Sequence, residues 1–259
     1  MRRLRLGMMS GGGVDPAADF LAAAGITDPT ITAAINTLVN DLVGYGIWNK
    51  IFAIYPFVGG TATTHKFNLK DPRDLNAAFR IVFSGGITHN ASGVTGNGVN
   101  GSYNTNFSTA PMTLAVGGGV FVFIGNNTDS GSDLSNFAGA PNNAIQLTTR
   151  AGGDTYARGL STTVAGPLPT ATSIGFFGVN REANDNGGFY TNQNGVETLT
   201  AATYASTSAT IYGLQNGPFG GGFGNRNHQT SVFTAGLTLT ERTNLRTALI
   251  AFNVTNLGR

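Results

Sequence analysis

Residues 188–200 read GFYTNQNGVETLT, two runs of aromatic and β-branched residues around Asn194-Gly195. Asn-Gly accepts the positive φ angles of a type I′ turn, so the stretch predicts a β-hairpin. The same texture extends outward over residues 84–240. Short apolar runs of period two recur at 112–116, 120–124, 144–147, 173–179, 209–214 and 231–239, with Gly, Asn, Ser and Thr clusters between them. At least eight short strands with no helical pattern between them imply an antiparallel β-sandwich or jelly roll, not a parallel α/β sheet.

Helical signals flank this body. Asp15-Pro16 and Asp28-Pro29 each set a capping carboxylate before a proline at the first helical position. They predict a short helix over 16–24 that stops at Gly25, and a second over 29–43 with Ile31, Ile35, Leu38, Val39 and Leu42 on one stripe. Residues 47–58 (IWNKIFAIYPFV) carry the only Trp and read as a core or interface segment rather than an exposed ligand platform. Residues 78–83 are expected to begin the sandwich. Near the end, Thr240 is expected to cap a helix bearing Leu245, Ala248, Leu249 and Phe252. The organisation expected is an arm over 1–13, a helical collar over 14–76, and a sandwich with a C-terminal helix over 77–259.

Composition narrows the chemistry. Of 259 residues, 38 are Gly, none is Cys and 11% are charged. Cys-ligated zinc, thiol catalysis and a disulfide scaffold are thereby excluded. Fifteen basic against 13 acidic residues leave +2, too little to drive nucleic-acid binding. No window approaches the ~20 apolar residues of a membrane span. The opening MRRLRLGMM is basic; either it is a solvated terminus, or Arg2, Arg3 and Arg5 with Leu4 and Leu6 dock on a partner, the glycines 11–13 acting as swivel.

Motif searches return little. Residues 96–101 (GNGVNG) match G-x-G-x-x-G, but SYNTN follows instead of a helix start, so no dinucleotide site is expected. His65, His89 and His228 lie far apart and read as structural or surface residues. Asn and Asp clusters at 126–133 and 184–186 contain calcium-type oxygens but are also ordinary turn vocabulary. No catalytic, cofactor or metal residue is assigned, and the chain is expected not to be an enzyme. Were hydrolysis found, Glu182, Asp185 and Glu197 are the first carboxylates to replace.

Residues 54–86 (IYPFVGGTATTHKFNLKDPRDLNAAFRIVFSGG), the helix before them and the ending GLTLTERTNLRTALIAFNVTNLGR resemble structural proteins of tailed bacteriophages. In those proteins such a segment introduces a concanavalin A-like, LamG-type jelly roll. The resemblance implies a virion-exposed role (capsid decoration, head fibre or tail appendage) with other capsid or tail proteins as partners; the basic arm, glycine swivel and collar helices suggest attachment through the N-terminal region. The resemblance implies no cofactor and carries over no catalytic residue. Self-association, as a trimer, is a weaker expectation. The alternative is a lectin-like module that grips host surface glycans through sandwich loops; a polysaccharide-degrading enzyme is the third reading.

Overall fold

The protein is described by a computed structural model covering residues 15–137, 144–161, 164–185, 187–201, 203–205, 208–217 and 220–259. Two helices open it, α1 (Pro16–Ala24) and α2 (Pro29–Gly44). The Asp15 carboxylate accepts from Ala17 N at 3.0 Å and the Asp28 carboxylate from Ile31 N at 2.9 Å, satisfying N–H groups that the first turn leaves over. A turn at Trp48–Lys50 leads into β1 (Ile51–Tyr55), and the single turn α3 (Ala62–His65) follows.

The strands then run β2 (Val82–Ser84), β3 (Ile87–Asn90), β4 (Gly93–Gly96), β5 (Ser102–Ser108), β6 (Gly118–Ile124) and β7 (Leu134–Ser135). They continue as β8 (Ala144–Ala151), β9 (Asp154–Ser161), β10 (Ala165–Pro169), β11 (Gly175–Arg181), β12 (Gly187–Thr191), β13 (Glu197–Ala201), β14 (Thr210–Gly213) and β15 (Asn227–Thr234). The chain closes with α4 (Leu239–Ile250) and a wider π-type turn, Ala251–Asn256. Among the described residues no helix is long and apolar enough to cross a membrane.

Every strand pairing described is antiparallel, in two sheets. The first has eight strands, ordered β13-β12-β11-β6-β15-β4-β3 with β1 also on β15; the second has seven, ordered β10-β9-β8-β7-β14-β5-β2. The expected mostly β sandwich with N-terminal helices and a C-terminal helix is therefore what the chain forms.

Central strand β6 shows how the layers stack. Val120, Val122 and Ile124 point between the sheets, meeting Leu134, Leu147 and Phe177. Phe121 and Phe123 point the other way, into a second core with Leu38 and Leu42 of α2 and Leu245 and Leu249 of α4. Apolar on both faces, β6 is buried along its whole length. The molecule is thus three layers: helices, first sheet, second sheet. Gly213 on β14 is required by packing, since a Cβ there would lie 1.8 Å from the Tyr103 ring.

Several local expectations change. The 188–200 hairpin forms, with Thr191 opposite Glu197, but its loop is five residues rather than two. The Asn192 side chain accepts from Asn194 N (2.9 Å) and Val196 N (3.0 Å), and of the Asn-Gly pair only Gly195 has positive φ (77°). The cap of α4 is Thr238, not Thr240: with Glu241 it closes a reciprocal capping box, which puts Thr240 inside the first turn. Residues 112–116 are a turn, not a strand, because Val116 N and Gly117 N both bond to the Thr113 carbonyl. Of residues 78–83 only Val82 and Phe83 enter a strand, β2; Phe79 takes a left-handed φ of 61°.

Candidate functional site

The outer face of the first sheet is covered by α1, α2 and α4. Among the described residues no helix covers the outer face of the second sheet, so its outward side chains are a broad surface the scaffold presents. Strand alternation selects them. On β5, Tyr103, Thr105 and Phe107 are buried while Asn104, Asn106 and Ser108 are half-buried on the other side. On β9, Thr155 and Ala157 turn inward, and Tyr156 and Arg158 turn outward.

Register then aligns one row across five strand gaps. Val82 pairs with Asn104, Asn104 with Tyr212, Tyr212 with Ser135, Ser135 with Gln146, and Gln146 with Arg158. At ~4.8 Å per strand the row is about 24 Å long. Thr148 and Tyr156 form the next pair along.

Hydrogen bonds hold this row in place. Asn104 Nδ2 donates to Tyr212 Oη at 3.3 Å. Gln146 Nε2 and Ser135 Oγ both donate to Asn216 Oδ1, at 3.2 and 3.3 Å. Ser132 Oγ and Thr148 Oγ1 share a hydrogen bond of 3.3 Å. At the β8–β9 end the row borders a cavity of about 340 Å³ lined by Phe137, Gln146, Thr148, Tyr156, Arg158 and Asn216, among others. The Arg158 guanidinium lies 5.3 Å from the centre of the Phe137 ring. Groups fixed in this way lose little freedom when a ligand arrives.

Two larger grooves lie on the helical side. One of about 850 Å³ contains Trp48, but the Lys70 ammonium sits 4.2 Å from the indole ring and the Arg73–Asp71 pair closes at 2.6 Å. Its only Trp face is therefore covered. The other, about 510 Å³, reaches Arg259, whose guanidinium donates to the carbonyls of Pro56, Phe57, Ala91 and Gln229 and to Asn253 Oδ1. Its N–H groups are spent on those oxygens. That cation ties the chain ends of three elements together.

Between the sheets lies a fully buried polar chain that the sequence did not reveal. Ser231 Oγ and Tyr103 Oη are 3.0 Å apart, Tyr103 Oη and His228 Nδ1 2.8 Å, and His228 Nε2 and Asp133 Oδ1 3.1 Å. Arg226 Nε donates to Asp133 Oδ1 at 2.5 Å, and Thr149 N donates to Oδ2 at 2.7 Å. Burial alone would raise the Asp133 carboxyl, but the Arg226 charge and the His228 hydrogen bond outweigh it and hold it at about 2. All five side chains are closed to solvent, so this Ser, His and Asp set is a strut between sheets rather than a catalytic triad.

The remaining histidines, distant in sequence, meet in space. Gly60 N donates to His65 Nε2 at 3.1 Å, which leaves the proton on Nδ1 to be donated to His89 Nδ1, also 3.1 Å away. Burial, then the neighbouring His89 and Arg259, push His65 down to about 3.

The carboxylates singled out in the sequence separate into two fates. Glu197 receives Arg242 Nε at 2.5 Å and Nη2 at 2.6 Å, and Glu182 receives Nη1 at 2.9 Å. Asp185 instead accepts from Gly187 N at 2.8 Å and closes a turn. Asn126, Asn127 and Asp129 accept from the backbone N–H groups of Asn227, Ser173 and Gly153, so their oxygens pin this loop to distant segments. Among the described residues no group of three or more acidic or His side chains is placed to hold a metal. In 96–101, Asn97 Oδ1 accepts from the N–H groups of Val99, Asn100 and Gly101, and strand β5 follows. Arg2, Arg3, Leu4, Arg5, Leu6 and the glycine swivel lie outside the described residues.

The sequence matches no family model and no curated protein. Solved structures share the fold. Domain 4 of an extracellular GH43 arabinanase from Geobacillus stearothermophilus, in complex with arabinotriose, aligns with a TM-score of 0.51 at 16% identity over 76% of this chain and 98% of that domain. Trypanosoma rangeli sialidase in complex with sialic acid gives 0.51 at 10% identity over 80% of this chain; the chain spans only 33% of the sialidase. A carbohydrate esterase of the Shiga toxin-encoding bacteriophage phi24B reaches 0.42 at 12% identity over 72% of this chain and 99% of that one, too low to carry an argument. At these identities the likeness is one of fold.

One expectation is thereby corrected: the chain was expected not to be an enzyme, but its sandwich recurs in polypeptides that are a glycoside hydrolase and a sialidase, so that exclusion is withdrawn. Of what the resemblance implied, the antiparallel sandwich is found, and no family model supports the virion part.

Proposed function

We propose that the chain recognises carbohydrate on the open face of its second sheet. The observation that carries this is the register-aligned row whose half-buried members are Asn104, Tyr212, Gln146 and Arg158, with Tyr156 beside it; Ser135 and Thr148 lie buried and brace it. Amide and hydroxyl groups match the alternating donors and acceptors of sugar hydroxyls, and tyrosine faces suit the C–H faces of pyranose rings. The polar set lies on the sheet rather than in the loops, where the sequence reading had put it. The arabinanase domain of this fold, crystallised with arabinotriose, supports the reading.

A glycan array probed with the full chain tests it, followed by titration of Gln146→Ala and Tyr156→Ala. Each variant should bind about tenfold more weakly or worse at an unchanged melting temperature. No ligand at millimolar sensitivity contradicts the proposal. The same panel is assayed for reducing-sugar release, and any release is referred first to Glu182 and Glu197, which the fold brings to one guanidinium.

A second reading, display on a virion, is favoured by one geometric fact: the helices and the open sheet lie on opposite sides of the sandwich. Attachment through the helical layer of α1, α2 and α4 would leave the row facing outward. Co-purification of the chain with assembled particles supports this reading, and its absence from them contradicts it.

A further inference from the structure

The two outward tyrosines of the open sheet stand well apart. Tyr212 is on β14 and Tyr156 on β9, with β7 and β8 between them. Three strand gaps, and a two-residue step along β9, put their Cα atoms about 16 Å from each other. Both residues are half-buried, and both rings are held. Tyr212 Oη accepts from Asn104 Nδ2 at 3.3 Å, and a Cβ on Gly166 of β10 would come within 3.1 Å of the Tyr156 ring. Between the rings the floor is made of amides, since Asn216 Oδ1 accepts from both Ser135 Oγ and Gln146 Nε2. A pyranose unit is close in length to the ~4.8 Å gap between strands, so a single sugar meets one tyrosine and not the other.

We infer that the open sheet binds a linear glycan laid across its strands, with Tyr212 and Tyr156 stacking on sugar units at the two ends of one stretch and Asn216 and Gln146 contacting the units between. The spacing carries it. Each unit of an extended β-1,4-linked chain advances by about one strand gap, so the separation of the two rings is that of a unit and the third unit after it. An α-1,4-linked chain coils and does not keep both rings in line. The inference rests on the glycan-binding reading and narrows it to a ligand class, an extended chain gripped along its length rather than a terminal sugar. A tetramer is then the shortest chain that reaches both rings, and the second contact becomes intramolecular once the first is made.

Calorimetric titration of the full chain uses oligosaccharide ladders from dimer to hexamer: β-1,4-glucan, β-1,4-xylan and β-1,4-mannan, with α-1,4-glucan as the coiled counterpart. In at least one β-1,4 ladder the tetramer should bind about tenfold tighter than the trimer, with a plateau beyond the pentamer. The α-1,4 ladder should show no such step. Tyr212→Ala and Tyr156→Ala should each remove the step. The ladders are compared on the unmodified chain, so the result holds even if a variant folds poorly. Equal affinity along every ladder overturns the inference, as does a slow rise in proportion to length, which one small site gives as the number of binding registers grows. A step that survives both substitutions, or an array ligand with all three β-1,4 ladders silent, overturns it as well. Each of these outcomes leaves glycan recognition standing. Silence in every ladder and on the glycan array removes both.

Discussion

The two sheets use the same antiparallel geometry for opposite ends. The first is dry on both sides at its centre: β6 sends Phe121 and Phe123 to the helices and Val120 and Val122 to the other sheet. The second is dry on one side only, and its outward positions are Asn104, Tyr212, Gln146, Tyr156 and Arg158. One sheet is spent on stability, which leaves the other free to present polar side chains in fixed register. Between them the Asp133 strut adds directional bonds that pure apolar packing lacks.

The sharpest way to break this comparison is at that strut. Asp133→Ala leaves Arg226 buried without its carboxylate and should cost ~3–5 kcal/mol in chemical denaturation. A loss under ~1 kcal/mol would mean that the sheets are joined by apolar contact alone. Next in size, Phe121→Ala removes a fully buried ring shared by β6 and the helix layer and should cost about 3–4 kcal/mol.

Acid should expose the third effect. The folded pKa of His65, about 3, lies below its ordinary 6.5, so the unfolded chain takes up the proton first. Its contribution is fully present above pH 6.5 and is lost as pH falls toward 3, at about 1 kcal/mol per pH unit. His65→Gln should flatten the fall of melting temperature between pH 6.5 and 4.5 without abolishing it, because burial shifts His228 in the same direction. A variant with an unchanged slope contradicts that assignment. Asp133 acts lower, its contribution being lost only as pH falls through 3.8 toward 2.

Glu197→Gln weakens the two-pronged hold on Arg242 and should cost roughly 1–2 kcal/mol, read as a shifted denaturation midpoint. The smallest effect belongs to the open face: Tyr156→Ala should change stability by no more than about 0.5 kcal/mol. A large loss there would make the row structural and blur the contrast between the sheets.

The same contrast explains what could be read from the sequence. Strands with apolar residues on both faces, such as GGVFVFI, announce themselves, as do helices framed by Asp-Pro and Gly. In the open sheet β8 and β14 are legible from the runs 144–147 and 209–214, but β5 and β9 hide. In β9 (DTYARGLS) the inward positions are Thr155, Ala157 and Gly159, too small or polar to register as hydrophobic. In β5 (SYNTNFS) only Tyr103 and Phe107 carry the inward signal. β5 and β9 supply Asn104, Tyr156 and Arg158, so that part of the site was missed, although the alternation of long outward and short inward side chains in β9 was there to be found; Gln146 and Tyr212 lie on runs that read as strands without any sign of a shared row. The polar strut was out of reach for another reason. Tyr103, Asp133 and the segment 226–231 that carries Arg226, His228 and Ser231 come from three parts of the chain, and only the crossing of the two sheets brings them together.

The central claim, that the uncovered sheet is the recognition surface, is tested most directly by mapping backbone amide shifts on titration with the best array ligand. The account predicts saturable shifts concentrated at Gln146, Thr148, Tyr156, Arg158 and Tyr212, with α1, α2 and α4 silent. Shifts confined to the helical layer or to the groove beside Trp48, with this row unmoved, would contradict it.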